Sequence, residues 1–191
     1  MNQLSLAVIT NNTVANNPGD GIRISDNSTA RIGFNGVSDP AGSNTIENNG
    51  GNGIGIVFSS SARIASNTIT GNQGDGIVII ESSSAAVGFR TFEDVTASPN
   101  TIQSNTGSGV HVDVASSARI VGNTITSNSS YGVEVINAAG SIASNQIDSN
   151  GAGGVLVSEV SSVFLGENTG TSMFRLPNST SVANTGFGIQ C

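Results

Sequence analysis

The sequence holds a single histidine, His111, inside the alternating stretch Gly109-Val110-His111-Val112-Asp113. A closely similar stretch follows, Gly132-Val133-Glu134-Val135, with Glu134 at the corresponding position. A histidine beside a carboxylate can act as a general base when its surroundings tune its pKa and a cleft admits substrate. His111, Glu134 and Asp113 are therefore the candidate catalytic residues, weighed against the plainer reading of a solvated surface pair. Arg31, Arg63 and Arg119 recur in the phrases Ala30-Arg31-Ile32, Ala62-Arg63-Ile64 and Ala118-Arg119-Ile120. A column of guanidinium groups suits acidic sugars, although spaced arginines on an acidic protein also serve solubility.

The elements that must position these residues are written in a repeat. Asn12, Asn44, Asn67, Asn100, Asn123 and Asn145 each open a version of one phrase, from NTVANNPGDGIRI through NTITGNQGDGIVI to NQIDSNGAGGVLV. A degenerate copy, SVANTGFGIQC, closes the chain, and an apolar segment such as SARIASN or SARIVGN precedes several anchors. Within Gly76-Ile77-Val78-Ile79 the two Ile residues point one way and Val78 the other, the period of two expected of a strand. Three short strands per repeat, joined by Gly, Asn and Ser turns, predict a polygonal coil with an apolar interior. Successive coils then pair as parallel strands about 4.8 Å apart. Crossovers between parallel strands are right-handed. The fold expected is an all-β, three-sided, right-handed parallel β-helix of about seven coils, forming one domain over residues 1–191.

The turn residues carry their own expectations. Gly21, Gly53, Gly76, Gly109, Gly132 and Gly154 mark a backbone conformation or close approach that a Cβ would forbid. Asn17, Asn49, Asn72, Asn105, Asn128 and Asn150 fall at a bend where Asn tolerates the left-handed region. Stacked at one level, they would form either an Asn ladder or a set of independent turn formers.

The phrase N-x-I-x-x-N-x-G-x-G-I/V-x-I/V resembles the repeat of pectate-lyase-like and right-handed β-helix proteins, over nearly the whole chain from Asn11 to Ile189. That resemblance implies the right-handed β-helix, an extracellular setting and action on, or binding of, polysaccharide. It does not identify a chemistry, because the repeat describes scaffold. The family's hydrolases carry paired aspartates, a His-Gly step and an Arg-x-Lys motif. Here there is no adjacent Asp pair and no Lys, and His111 is followed by Val112. The lyases resemble one another in an acidic calcium cluster with an Arg or Lys base, whereas these acids are scattered along the repeat. The epimerases carry a Tyr near Asp-Pro-His, but Asp39-Pro40 leads to Ala41 and the one Tyr is Tyr131. No cofactor motif, zinc spacing or P-loop is present, so neither cofactor nor metal is expected.

Two anchors are followed by longer repeats. The extra length runs from Ile32 to Ser43 and from Val87 to Pro99, with a third stretch from Leu165 to Pro177. These hold Phe34, Phe89, Arg90, Glu93, Asp94, Phe174 and Arg175. Loops leaving one corner of a solenoid often form its binding face, so these residues, with Arg119, are the candidate binding residues. The plainer alternative is that the Phe rings cover apolar surface. Flat arrays of Thr, as at Thr68/Thr70 and Thr124/Thr126, raise ice binding, but Thr45/Glu47 and Thr101/Gln103 interrupt the pattern.

Composition bounds the partners. Charged residues are 10%, the net charge is −7 and the pI is about 4.3. Such a balance argues against nucleic acid and against anionic lipid. The lone Cys191 allows no internal disulfide. No basic region precedes the apolar segment Leu4–Ile9, which reads as a strand, and any secretion signal is expected to lie outside this sequence. Neither Met1–Thr10 nor Gly186–Cys191 shows a helical period or charged cap. A segment cut from a longer chain, or end-to-end self-association, is expected from that. The overall expectation is an accessory or structural β-helix segment of a secreted protein that binds carbohydrate. Part of a polysaccharide lyase, hydrolase or epimerase is the alternative, and a rigid spacer or adhesin shaft the third.

Overall fold

The computed structural model describes residues 4–36, 42–90, 97–166 and 177–191. Every strand among them is parallel to its neighbours, and the strands sort into three sheets. One, here the Ala-Arg sheet, stacks Leu6–Ile9, Thr29–Ile32, Ser61–Ile64, Ser84–Val87, Ser117–Val121, Ala139–Ala143 and Ser162–Leu165. The Thr sheet stacks Thr13–Ala15, Thr45–Glu47, Thr68–Thr70, Thr101–Gln103, Thr124–Thr126 and Gln146–Asp148. The Gly-Ile sheet stacks Ile22–Ile24, Ile54–Ile56, Ile77–Ile79, Val110–Val112, Tyr131–Ile136, Gly153–Ser158 and Phe187–Gln190. The result is the expected three-sided parallel β-helix. No helix among the described residues is long and apolar enough to cross a membrane.

Alternation places one column of side chains inside for each alternate strand position. Ile46, Ile69, Ile102 and Ile125 stack in register down the Thr sheet and are fully buried. Ile54, Ile77, Val110 and Val133 do the same on the Gly-Ile sheet, and Ile32, Ile64, Val87 and Ile120 on the Ala-Arg sheet. Because every residue in a column is branched and of similar size, the core is continuous rather than layered.

The corners are held by side chains bonded along the axis. Asn49 Nδ2 donates to Asn72 Oδ1 at 2.9 Å, Asn72 to Asn105 at 2.9 Å and Asn105 to Asn128 at 2.9 Å. The same oxygens accept the backbone N–H of the Asn before them, as Asn105 Oδ1 does from Asn72 at 3.1 Å. The ladder reading therefore holds. A second ladder runs through the anchor residues themselves, Asn44 to Asn67 to Asn100 to Asn123 to Asn145, with bonds of 2.9–3.0 Å. The left-handed residue is not the ladder Asn, as the sequence suggested, but the one before it: Asn16, Asn48, Gly71, Ser104, Ser127 and Ser149. Placing the twist one residue earlier turns the following Asn side chain inward, onto the axis. A serine column adds to this at another corner, where Ser60 Oγ accepts from Ser28 N and Ser83 Oγ from Ser60 N, both at 3.2 Å.

The Gly-Ile glycines mark close approaches. A Cβ on Gly76 would lie 2.5 Å from Ile102 Cγ2 and 2.6 Å from the Gly109 carbonyl oxygen. Gly33 and Gly88 open the two longer coils with φ of +93° and +99°. There a Cβ would fall on the carbonyl oxygen of Ala65 or Val121. Each loop closes again on the glycine that opened it: Gly42 N donates to Gly33 O at 2.9 Å and Ser98 N to Gly88 O at 2.7 Å.

Candidate functional site

Two surfaces gather the candidate residues. The first is a groove of about 700 Å³ running along the Ala-Arg sheet from Leu6 to Phe164. Outward positions of that sheet form two rows. Thr29, Ser61, Ser84 and Ser117 give one row of hydroxyls; Arg31, Arg63, Ala86 and Arg119 give the other. Arg31, Arg63 and Arg119 are exposed, and no Asp or Glu among the described residues lines the groove. On a chain of net charge −7, this is a segregated cationic strip.

The longer coils border this strip, and the arginines tie them down. Arg31 Nη1 donates to the Asn35 carbonyl at 3.1 Å, and Arg63 Nη1 to the Arg90 carbonyl at 3.0 Å. The described starts of both longer coils, just after the Ala-Arg strand, are thus fastened to arginines of the groove. Phe34 and Phe89, expected as binding residues, are instead 2% and 1% exposed. Phe89 packs on Val121 with Ala86 and Ala97, filling the base of the loop. Their rings stabilise the corner and offer no face to a ligand. Arg90 is half-buried beside Arg63, while Glu93, Asp94, Phe174 and Arg175 lie outside the described residues.

The second surface is the outer face of the Gly-Ile sheet around His111. His111 and Glu134 are register partners, as expected, but they do not bond to each other. His111 Nδ1 pairs with Asp75 Oδ2 at 3.1 Å, and Glu134 Oε2 accepts from Ser108 Oγ at 2.7 Å. The remaining nitrogen, Nε2, is sealed from solvent and has no hydrogen-bond partner among the described residues; Asp113 Oδ2 stands 3.9 Å away. The hydrogen bond to Asp75 lifts the His111 pKa above its ordinary 6.5; burial opposes this, and the charges of Asp75, Glu134 and Asp113 add to it. Such a pair orients an imidazole, yet it favours the protonated ring, which is a poor base.

Asp75 and Ser108 were not singled out from the sequence. They occupy the position just before the Gly-Ile step, where Asp20, Asn52, Asp75 and Ser108 form another column bonded along the axis. Aligning that one position across the repeats would have found it. Outward on the Thr sheet, Thr13, Thr45, Thr68, Thr101 and Thr124 stand in unbroken register, but Ala15, Glu47 and Gln103 interrupt the neighbouring column.

A coil of three parallel strands, axial Asn ladders and branched core columns defines the class of repeat solenoid to which the molecule belongs. The chain belongs to the right handed beta helix region family, whose model matches residues 1–92 and again 85–190. The solenoid is accordingly right-handed. No curated protein and no solved structure matches it.

Proposed function

We propose that this β-helix is an accessory segment of a secreted protein and holds an extended acidic polysaccharide in the groove of the Ala-Arg sheet. The observation that supports this is the exclusive placement of Arg31, Arg63 and Arg119 along a groove free of described acids. Guanidinium groups pair with carboxylates through a planar, bidentate fork. Register spaces Arg31 and Arg63 one coil apart, about 4.8 Å, and Arg63 and Arg119 two coils apart. The hydroxyl row of Thr29, Ser61, Ser84 and Ser117, two residues earlier on the same outward face, offers hydrogen bonds beside the arginines. A linear uronate chain laid along the axis would meet both rows at once.

Titration of the chain with polygalacturonate and alginate by calorimetry tests the proposal. Saturable binding that weakens with added salt, and that falls at least tenfold in Arg63→Ala/Arg119→Ala, is the expected result. No binding to any acidic glycan would leave the spacer reading in its place. The Asp75–His111 pair favours a second reading, part of a polysaccharide-modifying enzyme. Turnover of a uronate polymer that is lost in His111→Ala would support that reading instead. End-to-end association is a further expectation, supported by the exposed apolar side chains of Phe187 and Ile189, 67% and 57% accessible. A strict monomer at every concentration in size-exclusion chromatography would count against it.

A further inference from the structure

The corner between the Gly-Ile and Ala-Arg sheets is turned on successive coils by Asp26-Asn27, Phe58-Ser59, Glu81-Ser82 and Val114-Ala115. All eight residues are left-handed, with φ between 51° and 60°. Backbone bonds stack the turns directly: Asn27 N donates to Phe58 O at 3.0 Å, Ser59 N to Glu81 O at 2.9 Å and Ser82 N to Val114 O at 3.0 Å. Asp and Asn visit this region readily, whereas an aromatic or β-branched residue is strained there. Packing does not repay the strain, since Phe58 is 48% exposed and Val114 46%. The Arg23 guanidinium lies 5.9 Å from the Phe58 ring centroid and is itself held by Asp20 at 3.0 Å. A groove of about 470 Å³ runs over these turns from Asp26 to Val114.

We infer that this ridge is a second glycan-binding surface, one that takes an extended neutral polysaccharide lying along the solenoid axis. Read up the corner, the outward residues alternate acid, ring, acid, apolar: Asp26, Phe58, Glu81, Val114. A sugar ring has an apolar C–H face and hydroxyls at its edge. Phe58 supplies an apolar surface for the first, in the manner of an exposed aromatic anchor. Asp26 and Glu81, one coil to either side, accept hydrogen bonds from the second, and charged acceptors make the stronger bonds. Ser59 and Ser82 add hydroxyls in the adjoining column. The carboxylates repel uronates, so the ridge selects against the ligand proposed for the Arg groove. A single bound cation does not account for the pair, because register sets Asp26 and Glu81 two coils, about 9.6 Å, apart, too far to share one ion.

The ridge and the Arg groove are different surfaces, so the two proposals fail separately. Affinity electrophoresis of the whole chain in gels containing hydroxyethyl cellulose, mannan or polygalacturonate, with calorimetry on cellohexaose and mannohexaose, reads both. Retardation by at least one neutral glycan is expected. Phe58→Asn should weaken it at least tenfold while the melting temperature holds or rises, because Asn relieves the left-handed strain. The same variant should bind polygalacturonate as the unsubstituted chain does. Glu81→Gln should weaken neutral-glycan binding severalfold without a change in fold. The inference is overturned if no neutral glycan binds, or if Phe58→Asn leaves that binding unchanged. It is also overturned if the melting temperature falls in step with affinity, which would make Phe58 a structural residue.

Discussion

Asn105→Ala removes one rung from the middle of a buried ladder, and its cost can be worked bond by bond. Asn105 Oδ1 accepts from Asn72 N at 3.1 Å and Asn72 Nδ2 at 2.9 Å, while its Nδ2 donates to Ile69 O at 3.3 Å and Asn128 Oδ1 at 2.9 Å. The bond from its own backbone N–H to Asn128 Oδ1 survives. Three of the four lost bonds leave partners with another contact or a carbonyl with spare capacity, at about 0.5–1.5 kcal/mol each. The fourth leaves the buried Asn72 N–H without an acceptor, at about 1–3 kcal/mol. The total is about 2.5–7.5 kcal/mol. Asn17→Ala, at the exposed end of the same ladder, removes only one side-chain bond, to Asn49 at 2.9 Å, for about 0.5–1.5 kcal/mol. Urea denaturation compares the two variants, and hydrogen exchange reads the Asn72 amide directly. Since Ser104 and Asn16 carry the left-handed turns, a turn-forming role alone would make both substitutions cheap. Equal costs, or an Asn72 amide that stays protected in Asn105→Ala, would refute the ladder as the bond between coils.

Gly76→Ala should destabilise by about 1–3 kcal/mol or more through overpacking against Ile102 and the Gly109 carbonyl, whereas Gly188→Ala, with nothing within 4 Å of the added Cβ, should be close to neutral in the same melt. His111 has a raised pKa in the fold, so its stabilising contribution is complete below 6.5 and is lost as pH rises through the folded value. Urea midpoints measured across that window should fall for the unsubstituted chain and flatten in His111→Gln; an unchanged pH profile would contradict the Asp75 pairing. At Asp148, burial alone would raise the pKa, but hydrogen bonds from the Ser181 hydroxyl, Gln146 and the backbone of Ser181 and Val182 outweigh it and hold the group below 3.8. Its contribution is therefore present above 3.8 and lost as pH falls through the lowered value. Asp148→Asn should release protection of the Ser181 amide at neutral pH, as read by hydrogen exchange.

The sequence by itself determined the solenoid. Six copies of one phrase, each alternating Ile or Val with an outward residue and punctuated by Gly and Asn, allow only a short strand that repeats on itself. Branched residues at alternate positions predicted the buried columns, and the glycine before each Gly-Ile strand marked the close approach that Gly76 makes to Ile102. What the repeat could not decide was how a side chain one coil away competes for its partners. His111 and Glu134 stand in register, yet Asp75 on the preceding coil takes the imidazole and Ser108 takes the carboxylate. Register fixes Cα neighbours, whereas hydrogen bonds depend on reach across a corner. For the same reason Phe34 and Phe89 read as loop aromatics but are buried, Phe89 against Val121, Ala86 and Ala97. The gathering of three arginines in one groove, and of Phe58 between two acids on one ridge, likewise depends on stacking. Residues far apart in the chain share a face only because each coil adds one rung to the same three sides.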